Sequence, residues 1–204
     1  MGTDSEFWNG VYAAKAETAV SWFQPVPKRS LELIAEHAPE RETPIIDIGG
    51  GASRLVDELM AGGYTDLAVL DIAASGLDRS RTRLGANAAR VDWIVADITQ
   101  WRPQRRWGVW HDRAVLHFLT STEAQDAYLA ALSEGTASGA AVIIATFALD
   151  GPERCSGLPV QRYSAQTLAT RLGPDFVLQA DADEVHRTPW DSSQSFTYAV
   201  FRRR

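Results

Sequence analysis

The sequence predicts an α/β fold built around one mostly parallel sheet with helices on both faces. Short apolar runs rich in β-branched residues alternate with helix-like stretches along the chain, a pattern typical of parallel strands joined by helices. The run Ala140 to Phe147 is continuously apolar, as expected of a strand buried on both faces. Two extended runs at the end, Phe176 to Arg187 and Ser195 to Arg202, predict a closing antiparallel pair. The predicted strand count is seven.

The remaining elements follow from the same alternation and from local start and stop signals. Strands are predicted at Pro44 to Ile48, Leu67 to Leu70, Val91 to Val95 and Trp107 to His111. Helices are predicted as a pair within Ser5 to His37, at Arg54 to Ala61, at Ala74 to Leu84, after Thr120, and from Ser164 to Leu172. Thr120 followed by Glu123 predicts a capping box, and Ser164 predicts the cap of the last helix.

Composition limits the classes of protein. The chain has 204 residues and a net charge of −6, so we expect no nucleic-acid partner, which would require a basic surface. The single cysteine, Cys155, excludes an intrachain disulfide, and the scattered histidines predict no metal site. No apolar run approaches the ~20 residues of a membrane span. Residues Met1 to Trp8 have no signal-peptide pattern, so we expect a cytoplasmic protein without a membrane partner.

A glycine-rich loop carries the strongest functional signal. Residues 47–53 read DIGGGAS between the first predicted strand and the next helix. Glycines at such a turn let the backbone approach a ligand closely. Asp71 ends the second strand, where a carboxylate can accept hydrogen bonds from two ribose hydroxyls, and Asp97 follows the third. Ligands of open α/β sheets bind at these carboxyl ends, so the three features predict one binding crevice.

Two neighbouring residues argue against the common nucleotide-binding loops. Arg54 stands where a dinucleotide-binding loop would have its third glycine, and Asp47 would repel a pyrophosphate while suiting an ammonium group. No Gly-Lys-Ser/Thr sequence follows the glycines, which excludes a P-loop. The carboxylate at Asp97 is suited to accept from an adenine amino group, although a turn cap would also explain it.

Taken together, these motifs resemble those of class I S-adenosylmethionine-dependent methyltransferases. The resemblance rests on Asp47, Gly49, Gly51 and Ser53, then on the segments 70–72 (LDI) and 96–98 (ADI). It implies a Rossmann-like, seven-stranded fold and S-adenosyl-L-methionine as the cofactor. It also implies roles for individual residues: Gly49 and Gly51 toward the methionine part, Asp71 with Ile72 at the ribose, Asp97 with Ile98 at the adenine, and Asp112 and Arg113 near the methionine tail and the acceptor.

The N-terminal flank resembles the cover helix of small methyltransferases that include the citrate synthase lysine methyltransferase branch. The aromatic residues Trp8, Tyr12, Trp22 and Phe23 carry this resemblance, which places the first three at the cofactor and Phe23 at the acceptor. Aromatic residues at helical spacing are also typical of an ordinary core. The segment 111–114 (HDRA) carries no clear lysine-methylating signature.

Further residues are candidates for the acceptor side of the crevice. His117, with Asp112 and Arg113, follows the fourth strand and is the candidate catalytic group, since an unperturbed histidine is a plausible base. The candidate substrate-binding residues, besides Phe23, are Phe147, Cys155, His186 and Trp190. Each of them also has a purely structural interpretation, because lone histidines and packed indoles are common in cores and turns.

The sequence is therefore interpreted as one methyltransferase domain, 1–204. Residues 1–40 are expected to form cover helices, 43–147 the cofactor-binding core, and 148–204 the acceptor-side loop, helix and closing strands. The predicted reaction transfers a methyl group to N, O or S of a small-molecule acceptor, by in-line attack that the protein mainly aligns. Transfer to a protein lysine is the second hypothesis. An NAD-linked dehydrogenase and a cofactor-binding module without activity are the third and fourth.

Overall fold

A computed structural model describes residues 5–204, and a single sheet of seven strands forms its centre. The first four residues of the predicted cover segment lie outside the described residues. The strands of the main sheet are β1 (Ile45–Ile48), β2 (Leu67–Asp71), β3 (Val91–Val95), β4 (Trp107–Arg113), β5 (Thr136–Phe147), β8 (Phe176–Arg187) and β9 (Ser193–Arg203). A two-stranded hairpin, β6 (Arg154–Cys155) and β7 (Leu158–Pro159), lies between β5 and β8.

The strand order of the main sheet is β3-β2-β1-β4-β5-β9-β8. The pairs among β1 to β5 are all parallel, whereas β9 pairs antiparallel with both β5 and β8. The predicted fold class is thus confirmed, including the closing antiparallel pair. The β6–β7 hairpin was not predicted, because two-residue strands leave no periodic signal in a stretch rich in glycine and proline.

Within residues 5–204, six α-helices accompany the sheet. They are α1 (Ser5–Ala14), α2 (Lys28–His37), α3 (Leu55–Ala61), α4 (Ala74–Leu84), α5 (Thr122–Gly135) and α6 (Ala165–Leu172). The cap of α6 is confirmed, because Ser164 and Thr167 form a reciprocal capping box. The cap predicted at Thr120 is wrong by one position: the side chain of Ser121 accepts from the Ala124 amide, since α5 begins at Thr122.

Alternation along the strands divides the core into two layers. In β1, Ile45 packs in the cluster that contains α2, α3 and α4, while Ile46 and Ile48 pack in the cluster that contains α5 and α6. Successive strand residues point to opposite faces, so both faces of the sheet are covered by helices, as predicted. Within this three-layered arrangement, the carboxyl ends of the neighbouring strands β1, β2 and β3 lie side by side at one edge of the sheet. Within residues 5–204, no helix combines the length and the apolar character that a membrane crossing requires.

Candidate functional site

A cleft lies at the edge of the sheet where β1, β2, β3 and β4 end. One half of the cleft, called here the strand-end half, is lined by Gly49, Asp71, Ile72, Ala96, Asp97 and Ile98. The other, called the aromatic half, is lined by Trp8, Trp22, Val115, Phe118 and Leu119 with Arg113, Ala114 and Cys155. The strand order accounts for this division. The residues of the first half end or follow β1, β2 and β3, which are neighbours on one side, whereas Arg113 to Leu119 end or follow β4 on the other side of β1.

The glycine loop requires residues without a side chain at two positions. Gly49 and Gly51 have positive φ angles of 68° and 41°, which only glycine adopts without strain. A Cβ at Gly49 would lie 2.0 Å from the side chain of Val115, and a Cβ at Gly51 would lie 2.1 Å from the Tyr12 hydroxyl. The loop is therefore packed closely under the cleft, and Gly49 forms part of its floor.

Asp71 presents a buried carboxylate to the strand-end half. Its residue is 6% exposed, and its Oδ1 accepts from the backbone amide of Ala73 at 2.7 Å. Burial is the main reason that the pKa of Asp71 rises to about 7, and the nearby carboxylate of Asp47 adds to the rise. A carboxylate that is buried in this way gains from additional hydrogen-bond donors. Asp71 is thus suited to receive the hydroxyl groups of a ligand.

Asp97 lines the same half but is more fully used within the protein. Its Oδ1 accepts from the backbone amide and the hydroxyl of Thr99 at 2.9 and 2.8 Å, and its Oδ2 accepts from Gln100 at 3.2 Å. The side chain therefore closes a turn, as one interpretation of the sequence predicted. It also borders the cleft, so its proposed contact with an adenine amino group stays a prediction. Ile72 and Ile98 supply apolar surface beside the two carboxylates.

The N-terminal segment forms one wall of the cleft. Tyr12 lies against Gly51 and Gly76, where any Cβ would collide with its ring or hydroxyl. Trp8 stacks edge-to-face on Trp22 and on Phe118, with ring centroids 5.9 and 5.1 Å apart. The structure thus brings the three predicted N-terminal residues, Trp8, Tyr12 and Trp22, to the cleft.

Polar contacts fasten this segment to α4 and to the start of α3. The Asn9 side chain accepts from the backbone amide and hydroxyl of Ser75 at 3.0 and 2.7 Å. Glu17 binds both Arg54 and Arg83, at 2.9 and 3.0 Å. Arg54 therefore helps to anchor the N-terminal segment.

A second cavity borders the glycine loop and shares Tyr12, Trp22, Gly49 and Arg113 with the cleft. It contains Asp47, Ser53 and Phe23 from the predicted set. Ser53 Oγ accepts from the backbone amide of Leu55 at 3.1 Å and so begins α3. The Phe23 ring lies under the guanidinium of Arg54 at 5.7 Å.

A buried polar chain, not predicted from the sequence, lines this second cavity. Asp47 Oδ1 lies 2.7 Å from Nδ1 of His111, and Nε2 of His111 lies 2.9 Å from the Ser30 hydroxyl. All three residues are at most 5% exposed. The carboxylate of Asp47 is thus partnered by His111, and it lies outside the lining of the main cleft. Only the fold brings α2 beside β4, so no sequence signal links Ser30 to His111.

Three predicted site residues near the ends of β4 and β5 are packed inside the protein and line neither cavity. They are Asp112, His117 and Phe147. Asp112 is fully buried and accepts from the Tyr128 hydroxyl and the amides of Val115 and Leu116 at 2.7, 2.8 and 3.1 Å. Burial raises its pKa to about 6. These three donors make Asp112 a structural cap of the turn after β4.

His117 and Phe147 form part of the same packing. The ring of His117 lies 4.9 Å from that of Phe147 and 4.5 Å from that of Phe118, and both His117 and Phe147 are fully buried. Burial lowers the pKa of His117 to about 3. The predicted role of His117 as a base is therefore not supported by its position, because a neutral, enclosed imidazole does not reach the cleft.

The last three acceptor-side candidates have different positions. Cys155, on β6, is buried and lines the aromatic half of the cleft, and burial raises the pKa of its thiol to about 11. His186 binds the backbone oxygen of Ser21 at 2.7 Å and thereby ties β8 to the N-terminal segment. Trp190 is 57% exposed in the β8–β9 turn. Only Cys155 of these three borders a cavity.

The residues of the main cleft that the sequence did not reveal are apolar. Val115, Phe118 and Leu119 form the floor of the aromatic half, from the single-turn helix after β4. Ala114, directly before them, has a positive φ of 73°, a backbone conformation that is uncommon outside glycine and that often occurs at functional sites. This conformation is visible only in the structure, so nothing in the sequence pointed to these residues. Across the described part of the chain, no group of three or more His, Cys, Asp or Glu side chains is placed to hold a metal ion.

Comparison with solved structures identifies the fold. A methyltransferase from Anabaena variabilis, described as S-adenosylmethionine-dependent, has a TM-score of 0.74 at 14% identity and covers 98% of this chain and 93% of its own. The N-methyltransferase NodS from Bradyrhizobium japonicum, solved with S-adenosylhomocysteine, has a TM-score of 0.73 at 15% identity, covering 100% and 99%.

A third structure is similar over most of its length. The 1,6-didemethyltoxoflavin-N1-methyltransferase of Burkholderia thailandensis has a TM-score of 0.68 at 16% identity and covers 98% of this chain and 83% of its own. No family model and no curated protein sequence matches this chain. The chain therefore has the fold of S-adenosylmethionine-dependent methyltransferases, and at these identities the similarity concerns the fold alone.

Proposed function

We propose that this protein is an S-adenosylmethionine-dependent methyltransferase that acts on a small-molecule acceptor. The observation that carries the proposal is the continuous cleft whose strand-end half holds Gly49, Asp71 and Asp97 and whose other half is aromatic. The first half offers carboxylates and apolar flanks to a nucleoside, and the second offers an apolar space beside it. Two of the similar structures contain S-adenosylhomocysteine, and one of these also contains its small-molecule substrate.

The residues of the strand-end half fit the adenosine part of the cofactor. The buried Asp71 borders the cleft, where its carboxylate can accept from ribose hydroxyls beside the backbone amide of Ala73. Gly49 borders the cleft, and a side chain there would collide with Val115, which also lines it. Ile72, Ala96 and Ile98 provide apolar surface for the base. Asp97 would accept from the adenine amino group in addition to its bonds with Thr99 and Gln100.

The protein's own contribution to the reaction is alignment and exclusion of water. When bound, S-adenosylmethionine supplies a methyl group that is already activated on a sulfonium. The aromatic rings of Trp8, Trp22 and Phe118 line the aromatic half, and ring faces attract cations by ~0.5–2 kcal/mol. Holding two reactants in line in such a water-poor site removes much of the entropic barrier.

The titratable side chains that line the cleft are few: Tyr12, Asp71, Asp97, Arg113 and Cys155. Burial raises the pKa of Tyr12 well above its ordinary value and that of Cys155 to about 11, so neither ionises readily. The aromatic half thus presents no ready base among the described residues. This arrangement suits an acceptor atom that attacks without first losing a proton to the protein.

The choice of a small acceptor follows from the N-terminal wall. Trp8 and Trp22 lie across the aromatic half and leave a space bordered by Phe118, Leu119 and Cys155. A protein lysine is the second acceptor class to test, since the sequence resembles the citrate synthase lysine methyltransferase branch. We further propose that residues 1–204 act as one domain, with 1–40 as the cover, 43–147 as the cofactor core and 148–204 on the acceptor side.

Calorimetry with S-adenosylhomocysteine and with NAD tests the cofactor. We expect binding of the first and none of the second, because Asp47 and Arg54 stand where a dinucleotide-binding loop needs other residues. Tight NAD binding without a response to S-adenosylhomocysteine would falsify the proposal. A screen with labelled S-adenosylmethionine, run in parallel on small molecules and on cell extract proteins, then separates the two acceptor classes.

A further inference from the structure

Arg113 is the one cation among the described residues that line the cleft, and its guanidinium has unused donors. Its Nε donates to the Tyr198 hydroxyl at 3.1 Å, and its Nη1 donates to the backbone oxygen of Trp22 at 3.3 Å. Its Nη2 is buried and has no hydrogen-bond partner within residues 5–204. Because a guanidinium carries five N–H donors, most of its capacity is unused.

The charge of Arg113 is also incompletely paired within the described residues. Glu184 is the carboxylate in ion-pair range, and its Oε1 lies 3.9 Å from Nη2. That oxygen already accepts from the Gln24 amide at 3.2 Å. The Arg113 side chain is only 10% exposed, so water does little to solvate it. A buried cation in this state gains strongly from an anion that hydrogen-bonds to it.

The surroundings of Arg113 indicate what else such an anion would carry. Trp8, Trp22, Phe118 and Leu119 give the aromatic half a wide apolar surface. The carboxylates of the cleft, Asp71 and Asp97, lie in the opposite half. A ligand with a flat apolar body and an acidic end would therefore place its body on the rings and its charge at the β4 end.

We propose that the methyl acceptor is a small aromatic carboxylic acid whose carboxylate pairs with Arg113. This inference rests on the proposed function and specifies its substrate class. A guanidinium binds a carboxylate through two parallel N–H···O bonds, so Arg113 would fix the orientation of the acceptor as well as its charge. The carboxylate of the cofactor's amino-acid part is the competing partner that the experiment must distinguish.

The test uses the full chain saturated with S-adenosylhomocysteine and two probes of equal shape, indole-3-acetate and its neutral amide, indole-3-acetamide. Titration calorimetry should show the acid binding at least tenfold more tightly than the amide, a difference of ~1.4 kcal/mol. Arg113→Gln should reduce the two affinities to the same value. Arg113→Lys should keep part of the preference, because it retains the charge without the planar fork.

Arg203→Gln is the matched control. The guanidinium of Arg203 lies over Phe176 at 4.8 Å, as that of Arg113 lies over Phe196 at 4.5 Å, and Arg203 is outside both cavities. This variant should keep the full preference for the acid. Melting temperatures of all variants show whether the Arg113 variants remain folded, and Arg113→Lys provides the second measurement if Arg113→Gln does not.

Three results would overturn the inference. One is equal or absent binding of acid and amide to the wild-type complex. Another is an acid preference that survives in a folded Arg113→Gln protein. The third is an Arg113→Gln protein that loses affinity for S-adenosylhomocysteine but not for 5′-methylthioadenosine, which has no carboxylate, since Arg113 would then serve the cofactor. If the wild type binds no S-adenosylhomocysteine at all, the proposed function itself fails first.

Discussion

Asp71 at the end of β2 and two residues near the ends of β4 and β5 lie in different surroundings. Asp71 borders the open cleft. Asp112 in β4 and Phe147 in β5 are fully buried and line neither cavity, although Arg113 and Ala114, directly after Asp112, do line the cleft. Similar positions near the end of a strand thus lead to a cleft surface in one place and to internal packing in the other.

Asp71 and Asp112 show the physical basis of this difference. Burial raises the pKa of both carboxyl groups, to about 7 and about 6. Asp112 accepts from the Tyr128 hydroxyl and two backbone amides and lines neither cavity, whereas Asp71 accepts from the backbone amide of Ala73 and borders the cleft. A buried carboxylate enclosed by protein donors stabilises the fold, and one that borders a cleft is also within reach of a ligand.

The largest expected effect belongs to the packed region. Phe147→Ala removes a fully buried ring that packs against His117 and Phe196, and such changes cost ~3–5 kcal/mol of the free energy of unfolding. Urea denaturation measures this loss. The comparison predicts that the folded fraction still binds S-adenosylhomocysteine normally, and an intact stability with lost turnover would instead place Phe147 at the acceptor, as the sequence suggested.

The next effect belongs to the cleft. Asp71→Ala should lower the affinity for S-adenosylhomocysteine at least tenfold, because each lost charge-assisted hydrogen bond costs ~1.5–3 kcal/mol. Its melting temperature should change little. Asp112→Ala is the matched control, and it should lower the melting temperature while the folded protein keeps its affinity. If the two variants exchange these outcomes, the contrast between the strand ends is incorrect.

A pH dependence should distinguish Asp71 further. Since burial raises the pKa of Asp71 to about 7, the free protein holds this carboxyl protonated below that pH. Ribose hydroxyls donate better to the ionised form, so affinity for S-adenosylhomocysteine should increase as pH rises through about 7 and then level off. Asp71→Asn should abolish this increase. An unchanged pH profile in that variant would assign the titration to another group.

The same carboxyl affects stability with a defined sign. Between its ordinary pKa of 3.8 and the raised value of about 7, the folded protein binds a proton that the unfolded chain has released. The free energy of unfolding therefore falls as pH rises across this range. Asp71→Asn should make denaturation midpoints less dependent on pH there, while the contribution of Asp112 persists.

The smallest effect is expected outside both regions. Trp190 is 57% exposed and lines neither cavity. Trp190→Ala should change stability by no more than ~0.5 kcal/mol and leave S-adenosylhomocysteine affinity and turnover unaltered. A loss of turnover alone would show that the β8–β9 turn takes part in acceptor binding, which would extend the active region beyond the cleft.

Much of the fold was predictable because its signals are local. Apolar runs with β-branched residues marked the seven strands, and Ser164 marked the start of α6. The glycine loop and the carboxylates at Asp71 and Asp97 were also readable, since a turn that requires glycine and a strand that ends in an acid are features of a few consecutive residues. Their chemical roles stay predictions that the experiments above address.

The sequence by itself determined the α/β class, the closing antiparallel pair and the loop that lies at the cleft floor, whereas the order of the strands is known only from the structure. Only the tertiary structure decided which side chains face the cleft. Ser30 meets His111 across 81 residues, Arg113 meets Trp22 and Tyr198, and His117 turns into the core beside Phe147. Such contacts depend on the packing of distant elements, because burial and partnership arise from the whole set of neighbours and leave no pattern in adjacent residues.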